Sequence, residues 1–197
     1  MTAAPAAPAA SSASERPVFC DAAGFEAALV DRSLTTLYAY WRERAGAGGV
    51  MARAALAPEA LTAVLPDLFI MGRGDDGIFR YRLIGTRVQA HIRTRVEGLT
   101  VAEVRRGPLV DHLTALFQTA GDAPAAGFGV SALDGESSPL AVYRRLVLPM
   151  TTDGARVDQL AGAWSVTIER PDDPALKHLT LPSSREAPGR LLFHRAS

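Results

Sequence analysis

The chain has 197 residues, 48% hydrophobic and 21% charged, and its 21 lysines and arginines balance 21 aspartates and glutamates. That length allows one domain of ordinary size, and the even charge leaves no broad electrostatic reason to bind nucleic acid or an anionic membrane. Cys20 is the only cysteine, which excludes an intramolecular disulfide and a cysteine-based zinc cluster and fits a reducing, cytoplasmic setting.

The opening stretch, "MTAAPAAPAASSASERP", is apolar only through alanine, is broken by Pro5 and Pro8, and has no basic leader. Residues 1–20 therefore read as a flexible tail rather than a signal peptide. No run of about 18 apolar residues is present, so no membrane-spanning helix is expected.

From Phe25 to Arg44 the pattern is helical. Phe25, Leu29, Leu37, Tyr40 and Trp41 share a stripe that Val30, Leu34 and Tyr38 widen, Asp21 suits the N-cap, and "AGAGG" ends the helix. A short helix follows from Pro58 to Leu65. "DLFIMG" and "IFRYRLIG" form a hairpin around "GRGDDG". Short helices and loops fill 86–106, and "PLVDHLTALFQTAG" is a helix with Leu109, Leu113, Leu116 and Phe117 on one face. Three strands close the series, 126–133, 140–150 and about 159–168, separated by turns rich in Gly, Asp and Pro. From Pro171 the chain is proline-rich and polar and reads as a tail, 171–197, leaving an ordered domain over 21–170. Hairpins on both sides of a helical connection predict an α+β fold: an antiparallel sheet with helices mostly on one face.

Few motifs carry chemistry. "GRGDDG" fits G-x-G-x-x-G literally, but a strand follows it where a dinucleotide fold needs a helix, and Asp75 and Asp76 would repel phosphate. "GVSAL" lacks the second glycine of a nucleophile elbow and sits in a strand. His91, His112, His178 and His194 show no metal-ligand spacing, and His112, off the apolar stripe of its helix, reads as solvated. No catalytic constellation and no metal site emerge, and no cofactor can be assigned.

Several stretches in fixed order resemble a family of small bacterial proteins built on one PAS-like sensory domain. They are "YWRERAGAGGVMARAALAPEALTAVLPDLFIM", "FRYRLIGT" and "VYRRLVLPMTTDGARVDQLAG", and the resemblance runs from about Leu37 to Gly162. It departs at Ile92-Arg93, where similar sequences have an aromatic-glycine pair. The resemblance implies a PAS-like five-stranded antiparallel sheet with short helices across one face, preceded here by the amphipathic N-terminal helix. It also implies a sensory or protein-interaction role whose signal leaves through a partner, with haem, flavin, a small acid or nothing in the interior.

Candidate residues follow. In "FRYRLIGT", Phe79, Tyr81 and Leu83 should pack under the helices while Arg80 and Arg82 look outward, with Arg82 an interaction candidate. Tyr38, Tyr40 and Trp41 lie on the N-terminal helix as core or as the face of a homodimer or another partner. In "LAVYRRLVLPM", Arg144 interrupts the apolar row Leu140, Val142, Leu146 and Leu148, with Leu160, Trp164, Val166 and Ile168 as the matching row on the last strand. Three readings stay open for Arg144: flipped out by a bulge, paired with a carboxylate, or forked on a small anionic ligand. Tyr81, Phe117, Phe128 and Trp164 would wall such a ligand, with His91 nearby. The function classes are a regulatory module that binds a small molecule or a partner, a ligand-free scaffold, and an enzyme using the same cavity. Empty space between sheet and helices separates the first from the second.

Overall fold

The computed structural model describes residues 17–46, 48–92, 94–133, 140–169 and 186–195. Expectations placed on residues 1–16, on Arg93 and on residues 170–185, His178 included, lie outside them.

The five expected strands are all present. β3 (Leu68–Arg73) and β4 (Phe79–Ile84) form the hairpin, and β5 (Ala126–Leu133), β6 (Leu140–Thr151) and β7 (Gln159–Glu169) form a meander. They pair antiparallel in the spatial order β5-β6-β7-β3-β4. Three further strands were not foreseen: β1 (Val18–Phe19), β2 (Met51–Ala52) and β8 (Glu186–His194). β8 runs antiparallel along the free side of β5, β1 runs parallel on β8, and β2 runs parallel on β6. The sheet thus has eight strands among the described residues rather than five, and it is mixed. Residues 186–194, expected in a tail, are a structural strand, and ordered structure begins three residues before the expected start at 21.

The N-terminal helix is two helices, α1 (Ala22–Ala28) and α2 (Arg32–Arg44). Asp21 caps α1, its carboxylate accepting the Gly24 N–H at 2.8 Å. The Leu29 N–H closes onto the Glu26 carbonyl at 3.0 Å, a tightened last turn that ends the helix. The short helix expected from Pro58 is instead a series of 3-10 turns, Arg53–Ala55, Pro58–Leu61 and Leu65–Asp67. α3 (Thr86–Ile92), α4 (Val101–Val104) and α5 (Pro108–Asp122) follow the hairpin as expected.

Helices cover both faces of the sheet, not mostly one. α1 and α2 bury Phe25, Leu37 and Trp41 against Phe128, Val142, Leu148 and Ala163. On the opposite face α4 and α5 pack Val101, Leu116 and Phe117 over Phe69, Tyr81, Val147 and Phe193. A strand covered on both sides has no solvent face, and β6 is accordingly buried without a break from Arg144 to Thr151. One carboxylate joins the two helical layers. Asp67, 3% exposed, accepts the Ser33 hydroxyl of α2 at 2.8 Å and the Arg87 guanidinium of α3 at 2.5 Å.

The β3–β4 ladder shifts by one residue between Ile70 and Met71, so β4 carries one residue more than its partner there. Beyond the bulge the inside–outside alternation is lost. Phe79 and Tyr81 face the core as expected, but Leu83 is 46% exposed.

Candidate functional site

Strand alternation sends the neighbouring arginines of β6 to opposite faces. Arg144 lies opposite Val130 and Ser165, on the side of α1 and α2, and Arg145 lies opposite Gly129 and Trp164, on the side of α5. Directly opposed residues share a face. The row of β7 that matches Arg144 is therefore Ala161, Ala163, Ser165 and Thr167, one residue out of step with the expected Leu160, Trp164, Val166 and Ile168. Arg144 is buried rather than flipped out by a bulge, and donates to the Thr167 hydroxyl at 2.7 Å. Phe128 is on its face, edge-on to Phe25 at 6.5 Å.

Tyr81, His91, Phe117 and Trp164 gather on the other face, around an arginine the sequence reading passed over. Arg145, 5% exposed, donates to the Ser131 hydroxyl at 2.8 Å and lies 5.1 Å from the Tyr143 ring centre and 5.5 Å from that of Trp164. Cation–π contact of this kind suits a guanidinium, which sheds water more readily than an ammonium. Trp164 also meets the edge of His91 at 5.6 Å, and the exposed His91 ring donates through Nδ1 to the Arg87 carbonyl one turn back. Phe69 bridges Tyr81 and Phe117, with centroids 6.5 and 6.1 Å away. Arg105, just past α4, completes the wall, and both Arg145 and Arg105 act on the Tyr81 phenol, whose pKa is raised chiefly by burial and pulled back by the two charges.

The space these residues enclose is ≈ 20 Å³, room for about one water molecule. Val88 and Ile92 of α3 are also part of its lining.

His112 is buried, not solvated, at 8% exposure. Its Nε2 has no hydrogen-bond partner. Burial first, then the Arg145 charge, brings its pKa down to about 4, against an opposing hydrogen bond with the Val130 backbone. Of the ligand candidates, Phe128 and Arg144 are not brought into the cleft with the others.

The proposed partner face of the N-terminal helix is spent on the chain's own sheet. Tyr38, Tyr40 and Trp41 are 2%, 8% and 0% exposed. Trp41 donates to the Pro149 carbonyl at 3.2 Å, and the Tyr40 hydroxyl donates to the Ala55 carbonyl at 2.6 Å while accepting the Ala57 N–H. Burial lifts the Tyr38 phenol to about 12. Arg80 and Arg82 do look outward. Arg80 grips Asp76 through both carboxylate oxygens at 2.6 and 2.9 Å, whereas Arg82 is exposed, with no hydrogen-bond partner among the described residues.

A family model described as PAS domain matches residues 29–165, well over half of the chain. The chain belongs to the PAS domain family. No curated protein and no solved structure matches it. The matched stretch contains β3 to β6 and the first seven residues of β7, and it encloses the span from Leu37 to Gly162 on which the sequence resemblance rested. β1 and β8 fall outside the matched residues. As a PAS domain the chain belongs to a class of generally sensory or regulatory modules. No helix among the described residues is long and apolar enough to cross a membrane, and none of their His, Cys, Asp or Glu side chains cluster to hold a metal.

Proposed function

We propose that this PAS domain is a regulatory module that works by contact with a protein partner, its interior filled by its own side chains. What supports the reading is the ≈ 20 Å³ left between the sheet and α3–α5, against the 300–1,000 Å³ or so that a small-molecule pocket needs. The aromatic and arginine side chains that could have walled a ligand are packed on one another instead. A thermal-shift survey of organic acids, nucleotides, haem and flavins is expected to move the melting temperature no more than matched salt does. A compound that raises it in the wild type and not in Arg145→Gln would overturn the reading.

That outcome belongs to a second reading, favoured by the two guanidinium side chains in the lining of the cleft. A small anion would then enter as α3 swings out, held by Arg105 and Arg145 rather than by Arg144, with Tyr81, Phe117 and Trp164 as walls. At about 100 times its dissociation constant such a ligand adds roughly 2.7 kcal/mol of stability.

A further inference from the structure

We infer that the outer side of the β3–β4 hairpin is a docking groove for a carboxylate-rich segment of a partner protein, with Arg82 as its anchor. The inference rests on the reading of this domain as an interaction module and names the surface and the chemistry of the partner. Charge along the chain is uneven although its sum is zero. Residues 73–106 hold eight arginines against four carboxylates, so the remainder carries the opposite excess of four. Three of those arginines, Arg73, Arg80 and Arg82, line one groove of ≈ 390 Å³ between the hairpin and Gly98.

Two of the three are fixed in the wall by the chain's own acids. Arg73 Nη2 meets Asp122 Oδ1 at 2.5 Å, and Arg80 holds Asp76 in the two-oxygen grip already described. Arg82 is different. It is at the β3–β4 bulge, where a ladder re-aims side chains. Its stem lies across Gly72, in the space a Cβ at that position would fill. A bulge and a glycine are thus spent on holding the stem of an exposed arginine whose guanidinium makes no hydrogen bond among the described residues. An exposed arginine gains little stability from such a device, so the arrangement fits recognition. A free guanidinium offers a planar fork to a carboxylate. Glu97 at the rim is already engaged by Arg95 at 3.2 Å. A short acidic protein segment suits the groove better than an extended polyanion, which would run onto the acidic remainder of the molecule.

The test is fluorescence anisotropy of a labelled deca-glutamate peptide with the full chain at low salt, beside a deca-glutamine peptide and a single-stranded oligonucleotide of equal length. Binding of deca-glutamate alone is expected, weakening as salt rises. Arg82→Glu should cost at least tenfold in affinity at an unchanged melting temperature. Arg42→Glu, at an exposed site on the face of α2, should cost less than twofold. Equal losses in the two variants would mean diffuse charge attraction and overturn the inference, as would tighter binding of the oligonucleotide or no binding of deca-glutamate. These failures leave the interaction-module reading intact, because that reading falls only to a stabilising small molecule in the thermal survey.

Discussion

His112 makes stability depend on pH. Its pKa falls from 6.5 in the unfolded chain to about 4 in the fold, so between these values the unfolded state binds more protons. Its contribution is complete above about 6.5 and drains away as pH falls toward 4. The full span is worth about 3 kcal/mol, and the part between pH 7 and pH 5 about 2 kcal/mol. For a chain of this size that is a fall of about 4–8 °C in Tm. The assay is urea or thermal unfolding at pH 7, 6 and 5, comparing the wild type with His112→Leu. Leucine keeps the helix and the bulk, removes the titration, and spares the orphaned Nε2 its burial cost. The wild type should lose about 2 kcal/mol more than the variant over this range. Carboxylate effects, such as the Asp76 carboxyl held down to about 2 by Arg80, are shared by both proteins and cancel. Parallel pH profiles would show that His112 protonates freely in the fold and would refute the argument from burial.

Two other substitutions test the packing. Gly85→Ala would push a Cβ into the Leu65 carbonyl oxygen and to 2.5 Å from that of Pro66, both backbone atoms that cannot swing away; a loss of roughly 1–3 kcal/mol in denaturant unfolding is expected, and an unchanged midpoint would mean the 3-10 turn yields easily. Trp41→Ala should cost about 3–5 kcal/mol with no change in sedimentation, since the ring faces the chain's own sheet; a shift in sedimenting mass would restore this helix as an assembly face.

Sequence patterns revealed the elements whose two sides differ. β3, β4 and α5 announced themselves by alternation, by turn residues or by an apolar stripe, and α3 and α4 by the absence of a longer pattern. What escaped was buried on both sides. In β7, Leu160 and Trp164 face α5 while Ala161 and Ala163 face α2, so neither parity stands out, and a one-residue slip in matching it to β6 set the wrong row, Trp164 included, opposite Arg144. In β8, Leu191 and Phe193 turn to one layer and Leu192 to the other, and Pro188 argues against a strand where an edge tolerates it. The bulge that exposes Leu83 leaves no trace in a sequence that alternates without fault. Tyr38, Tyr40 and Trp41 were legible as packing residues but not as to what they pack against, because the second covered face of the sheet was not foreseen.

β8 also sets an order of events for the growing chain. β5 leaves the ribosome long before residues 186–194, and until they arrive its outer edge is an unpaired ladder of a Gly-rich, apolar strand. β8 must then reach back to the segment around Cys20: the Cys20 N–H bonds the Phe193 carbonyl at 2.9 Å, a link across 173 positions. Contacts that distant slow folding, so the sheet cannot be sealed until residues 186–194 have been made. A fragment stopped at residue 170, where the sequence alone would place the boundary, keeps the whole five-stranded core and still presents that edge to its neighbours. Turbidity during refolding of the fragment, beside that of the full chain, measures how much of the molecule's solubility resides in β8.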